Sequence, residues 1–165
     1  LLSMNSSKEG EKPIIASFKN RNTEDAYIID KVKTYSKKGS TCIVAKKDDL
    51  KHYQSLLRKE GIPYTIIDRN VKGITRTMGI FISNYHAIKG LEFDNIIMPE
   101  CSDNMFRNNL QNYNDEEKKE KELELSKVIY VGISRAKENL IISHCDELLN
   151  IIPKDNNICN FYIGE

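Results

Sequence analysis

Apolar residues in this chain come in short continuous runs, separated by longer stretches in which they recur every three or four positions. The runs are PIIASF (13–18), TCIVAK (41–46), PYTIID (63–68), GIFISNYH (79–86), NIIMPE (95–100) and NLIISH (139–144). Each has strand length and is apolar almost throughout, as a strand covered on both faces must be. Between the first two runs, NTEDAYIIDKVKTYSKKG (22–39) opens with Asn22 or Thr23 as a candidate N-cap, carries Glu24 and Asp25 in its first turn and closes on Lys37, Lys38 and Gly39. Ala26, Ile28, Ile29 and Val32 form its apolar stripe. KDDLKHYQSLLRKEG (47–61) repeats the pattern, with Leu50, Tyr53, Leu56 and Leu57 on one face and Gly61 as the stop. In NDEEKKEKELELSKVIYVGISRA (114–136), Leu125, Val128, Ile129 and Gly132 keep helical spacing and turn inward, while Glu116 to Glu122 extend into water. Buried-type strands alternating with helices predict an α/β domain built on a mostly parallel sheet covered by helices.

Composition narrows the class. With 165 residues the chain suits one domain, and neither a metal nor a disulfide is needed to stabilise a core of that size. Residues 1–12 read as a flexible polar lead and 13–165 as the domain. The chain starts Leu1-Leu2-Ser3 and reaches its first methionine at Met4, as a segment cut from a longer protein would. A net charge of +1 excludes a globally basic nucleic-acid coat, so a charged partner has to be met by a local patch. No apolar stretch approaches the roughly 20 residues of a membrane span, and no secretory signal opens the chain. No membrane partner is expected, and the location expected is the cytoplasm, with the nucleoid if the protein is bacterial. Cys42, Cys101, Cys145 and Cys159 are scattered without zinc-finger spacing and read as reduced structural thiols, His144-Cys145 as ordinary residues at a strand end.

Two stretches could carry chemistry. YHAIKGLEF (85–93) follows a strand, and ligands of open parallel sheets bind at the carboxyl ends of strands. That rule places His86, Lys89 and Glu92 on one rim, with Gly90 permitting a tight turn. A carboxylate there suits a sugar hydroxyl, and lysine or histidine suits phosphate, although a polar loop after a strand is usually a connection only. In YVGISRAKENLIIS (130–143), Arg135 stands between a helix and a strand, and its planar fork of donors suits a transferring phosphoryl group. Most arginines near helix ends are surface residues.

Taken together, NYHAIKGLEFDNIIMP followed by VIYVGISRAKENLII resembles the last two motifs of the UvrD/Rep/PcrA family of superfamily 1 helicases. The family pattern runs Thr-x-His-x-x-Lys-Gly-Leu-Glu-Phe/Trp, then Tyr-Val-Ala/Gly-x-Thr/Ser-Arg-Ala. The strand-helix-strand segment TCIVAKKDDLKHYQSLLRKEGIPYTII looks like part of that family's second RecA-like domain, so the resemblance extends from about Pro13 to Ser143. It implies that Arg135 reaches the ATP γ-phosphate, that Glu92 contacts the nucleotide ribose, and that Gly90 is the glycine of that turn. His86 with Lys89 would couple the nucleotide site to single-stranded DNA, and Tyr130 would pack. Asn84 stands where the family has threonine, and its amide can still donate to a DNA phosphate.

No G-x-x-x-x-G-K-[ST] occurs, and no acidic pair follows a strand as Mg²⁺ would require. The family's Asn-Tyr-Arg-Ser stretch, whose place would be before Pro13, is absent too. Between Asp68 and Gly79 stand only the ten residues RNVKGITRTM, which leaves no room for the family's large accessory insertion. Two expectations follow. One is the C-terminal motor domain of a DNA-dependent ATPase, acting on single-stranded or partly duplex DNA. An N-terminal P-loop domain of the same polypeptide would bind most of the ATP and Mg²⁺, and this chain alone would not turn over ATP. The other is a non-catalytic module that holds DNA or a protein.

Overall fold

The computed structural model describes residues 11–68, 78–107 and 112–165. Its elements, in chain order, are β1 (Ile14–Ser17), α1 (Arg21–Ser36), β2 (Thr41–Ala45), α2 (Leu50–Lys59), β3 (Thr65–Ile67), β4 (Ile80–Asn84), β5 (Phe93–Met98), α3 (Asp103–Arg107), α4 (Asp115–Ser134), β6 (Ala136–His144) and β7 (Asn160–Ile163). The strands form one sheet in the order β3-β4-β2-β5-β6-β1-β7, and every pairing is parallel. The expected α/β architecture is therefore present, with both faces covered. On one face α1 and α2 bury Ile28, Val32, Tyr53 and Leu57 against Ile43, Ile82, Ile97 and Ile141. On the other, α4 and the segment after β6 bury Ile129, Ile133, Leu148 and Leu149 against Cys42, Phe81, Ile96 and Ile142. The alternation along each strand sends neighbouring side chains into different cores, which is why the runs are apolar at every position.

Several boundaries differ from expectation. The N-cap of α1 is Asn20, whose side chain accepts from the Thr23 N–H at 3.0 Å; β1 stops at Ser17, so the helix starts earlier than Asn22. Ala26 is exposed, whereas Glu24 and Asp25 are buried, because the first turn of α1 leans over the sheet rim. Strand β5 starts at Phe93, two residues before the apolar run, because Phe93 N–H donates to Arg135 O at 2.9 Å and continues the ladder with β6. Strand β7 lies beyond any run read as a strand; its residues pair with β1 at the sheet edge and are exposed. Helix α4 is as expected, starting with an Asn114–Glu117 capping box and turning Ile129 and Gly132 inward. Tyr130, expected to pack, is 49% exposed on its outer face. Residues 1–10 of the lead and 69–77 of the segment too short for an insertion lie outside the described residues.

Candidate functional site

In this sheet all strands point the same way, so it has one amino rim and one carboxyl rim, about 15 Å apart over strands of this length. Strand β4 ends at Asn84 on the carboxyl rim, level with Ala45 at the end of β2. Strand β5 starts at Phe93 on the amino rim, level with Ala136 at the start of β6. The eight residues between Asn84 and Phe93 thus cross the whole sheet. The expectation that His86, Lys89 and Glu92 share the carboxyl rim does not hold: His86 stays there, and Glu92 emerges at the amino rim.

Local chemistry explains the crossing. Asn84 Oδ1 accepts from the N–H groups of His86 at 3.0 Å and Ala87 at 2.8 Å, which folds the chain back at the end of β4. Tyr85 and Ile88 then enter the core beneath α4. Gly90 has φ of +79°, and a Cβ there would meet nothing within 4 Å, so glycine is required by the backbone and not by a neighbour. His86, Lys89 and Glu92 are all exposed.

The second stretch arrives at the amino rim as well. Helix α4 runs back from the carboxyl side and ends at Arg135, its C-cap, where the guanidinium stands by the negative end of the helix. The bond from Phe93 N–H to Arg135 O sets Glu92 and Arg135 side by side at backbone level. Gly132 makes this possible: a Cβ there would fall 2.9 Å from Tyr85 Cε1 and 3.1 Å from Met98 Sδ, so only glycine lets α4 sit this close. The two motifs therefore touch. Arg135 is partly buried, and its Nε has no hydrogen-bond partner among the described residues. A buried guanidinium N–H without a protein acceptor fits an anionic ligand, and Glu92 supplies an exposed acceptor on the same rim; these two residues, with Gly90 in the turn, fit a nucleotide polyphosphate and sugar.

At the carboxyl rim a cavity of about 520 Å³ opens beside Asn84 and His86. Tyr85, Phe106, Leu125 and Val128 line it together with four lysines, Lys46, Lys47, Lys121 and Lys127, and two carboxylates, Asp48 and Glu124. Lys46 Nζ lies 5.3 Å from the Phe106 ring centre. Sequence reasoning missed these lysines, since they come from two segments, after β2 and on α4, that meet only in the fold. Lys89, expected beside His86, lies within the crossing and does not line this cavity. On the same rim it also missed a buried group of Glu24, Glu100 and Cys145 with Arg21, whose Nε is 3.7 Å from Glu100 Oε1.

An all-parallel seven-stranded sheet covered by helices on both faces defines a RecA-like α/β domain. Residues 70–147 match the UvrD-like helicase C-terminal domain family. Over 67 residues the chain is 39% identical to a probable DNA helicase II homolog of Rickettsia conorii and 37% identical to the DNA helicase II of Rickettsia typhi. These alignments cover 41% of this chain and 10% of each relative, so the chain spans about a tenth of the length of the curated relatives it matches. The fold is similar to the crystal structure of the C-terminal domain of a possible DNA helicase from Lactobacillus plantarum, with a TM-score of 0.69 at 18% identity, covering 96% of this chain and 89% of that one. Residues 70–147 are thus similar to a UvrD-like helicase C-terminal domain, and the chain as a whole shares the fold of the Lactobacillus plantarum domain. No helix among the described residues is long and apolar enough to cross a membrane.

Proposed function

We propose that this domain is the C-terminal half of a DNA-dependent ATPase motor in which the amino rim closes on ATP and the carboxyl rim tracks single-stranded DNA. The observation that carries the reading is the crossing itself: one eight-residue segment leaves Asn84 and His86 at one rim and delivers Glu92 beside Arg135 at the other. Movement of that segment at the nucleotide rim is carried to the DNA rim along the segment itself. In this reading Arg135 donates to the γ-phosphate and stabilises charge in the transition state, Glu92 accepts from a ribose hydroxyl, and Gly90 sets the turn between them. Asn84, whose Nδ2 has no partner among the described residues, and His86 contact DNA phosphates, and Lys89 adds positive charge along the crossing. An N-terminal P-loop domain supplies the phosphate cradle and holds Mg²⁺, and the assembled protein works in the cytoplasm on single-stranded or partly duplex DNA. On its own the chain presents half of the ATP site and does not turn over ATP.

The test is DNA-stimulated ATP hydrolysis by the full-length protein carrying Arg135→Ala, with far-UV circular dichroism as a folding control. We expect kcat to fall by roughly 10³-fold or more with folding intact, the size of effect for a guanidinium aimed at a transferring phosphoryl group. Unchanged turnover would remove Arg135 from the reaction. Glu92→Ala raises the KM for ATP more than the Kd for DNA, and the reverse order would contradict its placement.

A further inference from the structure

The carboxyl rim holds a group of side chains that the motor reading does not use. Glu24 at the start of α1 is fully buried, Glu100 after β5 is 5% exposed, and Cys145 after β6 is partly open to solvent. Their ligand atoms all lie within 4.8 Å of one another. Cys145 Sγ is 3.7 Å from Glu24 Oε1 and 3.6 Å from Glu100 Oε1. In a tetrahedral zinc site, with Zn–S near 2.3 Å and Zn–O near 2.0–2.2 Å, the separation of a sulfur and an oxygen ligand is about 3.6 Å. The three groups are thus already spaced as ligands of one ion.

A second observation points the same way. Ser143, two residues before Cys145 on β6, lies beside the Glu24 carboxyl, is fully buried, and its Oγ makes no hydrogen bond of normal length among the described residues. Held out of water with only the Glu24 carboxyl within reach, and that beyond ordinary hydrogen-bond length, this hydroxyl is aimed at the cluster and poorly satisfied unless something binds there.

We propose that Glu24, Glu100 and Cys145 bind one thiophilic divalent cation, Zn²⁺, with the Ser143 hydroxyl or a water completing the tetrahedron. A thiolate with two carboxylates suits Zn²⁺ better than Mg²⁺ or Ca²⁺, which take oxygen ligands only. The charge balance closes. Without the ion, Glu24 carries its proton, since burial first and then the Glu100 carboxylate push it up to about 8, and burial likewise keeps the Cys145 thiol protonated. Binding removes both protons: Zn²⁺ enters, two H⁺ leave, and three anionic ligands around a dipositive ion leave one negative charge. Arg21, paired with Glu100 and with Asp49 at 3.4 Å, sits where that charge is offset. Other titratable groups facing the site are the buried Cys101 thiol next to Glu100, Tyr53 on α2 and the Asp25–His52 pair, whose 2.8 Å contact joins α1 to α2. The half-open Cys145 provides the route of entry.

The untagged chain, stripped with a chelator and kept reduced without added thiol, is titrated with Zn²⁺ and with Cd²⁺. We expect one ion per chain, an ultraviolet thiolate–Cd²⁺ charge-transfer band and a rise in Tm. The affinity rises with pH, because a thiolate ligand has to lose its proton. Cys145→Ser abolishes the band, although Cys42, Cys101 and Cys159 remain. Glu24→Gln, which copies the shape of the protonated acid and so keeps the fold, weakens binding at least about tenfold, in line with loss of one charged ligand. Absence of saturable binding, a band that survives Cys145→Ser, an affinity unchanged in Glu24→Gln, or a pH slope showing no proton release each overturns the site. None of these outcomes depends on ATPase activity, so they separate this proposal from the motor reading.

Discussion

Replacing Asn95 tests whether the amino rim is held by a directional network or by packing alone. The side chain is 1% exposed. Its Nδ2 donates towards Tyr35 O at 3.2 Å, Ser40 O at 3.3 Å and Thr41 Oγ1 at 3.1 Å, and its Oδ1 accepts from Asn139 Nδ2 at 2.8 Å. One residue of β5 therefore ties the end of α1, the start of β2 and β6. With two N–H groups shared over three acceptors, Asn95→Ala loses three hydrogen bonds, about 1 kcal/mol each. The Tyr35 and Ser40 carbonyls keep backbone donors from Lys38, Gly39 and Asn95, so no further penalty for stranded acceptors is due. The expected loss is about 3 kcal/mol, a fall in Tm of roughly 6–12 °C for a domain of this size. Asn95→Asp distinguishes direction from volume. It preserves shape but turns a carboxylate oxygen towards three acceptors, so at pH 7.5 it should be less stable than the alanine variant. Its acid form recovers one donor, so the folded carboxyl titrates above the unfolded value; stability conferred by the proton is present at low pH and is lost as pH rises through that window. Urea unfolding followed by circular dichroism at pH 5 and pH 7.5 measures both. An aspartate variant as stable as the alanine one at pH 7.5, or with no pH dependence, would refute the network.

The remaining predictions concern single positions. Glu24 titrates near 8 in the folded state, above its unfolded value of 4.5, so the folded protein holds the extra proton between those values and stability falls as pH rises across them. Glu24→Gln should flatten that slope in a pH series of Tm values and raise Tm at pH 8 in metal-free buffer. Gly90→Ala should cost about 1–2 kcal/mol because of the positive φ alone, with Gly90→Asn milder, as read by chemical denaturation. Gly132→Ala gains about 1 kcal/mol of helix propensity and loses about 1–3 kcal/mol by pushing the Tyr85 ring, a net destabilisation accompanied by weaker ATPase in the full-length protein because α4 moves Arg135. Equal stability of the two proteins would show that Tyr85 can move aside.

Runs of apolar residues at every position, separated by helical stripes, were enough to read the α/β class, the parallel sheet and the inward face of α4, because burial on both faces leaves no freedom in such a strand. Asn84, His86, Gly90, Glu92 and Arg135 were picked out by the resemblance of their two motifs to a helicase family and not by local pattern, since a polar loop after a strand and an arginine at a helix end are by themselves ordinary. What the sequence could not reveal was the rim on which each residue ends. Glu92 follows a strand in the chain, yet it belongs to the next one, since the hydrogen bond of Phe93 to Arg135 is between residues 42 apart and only the ladder of β5 with β6 fixes it. The buried state of Glu24 was equally hidden. An acid in the first turn of a helix is ordinarily a solvated partner of the helix dipole. Here Glu100 and Cys145 come from strand ends far along the chain, and they close over Glu24 only when β1, β5 and β6 are laid side by side. Local periodicity determines which elements form and which faces are apolar; the strand order decides which polar residues share a rim, because proximity across a sheet is a property of pairing and not of distance along the chain.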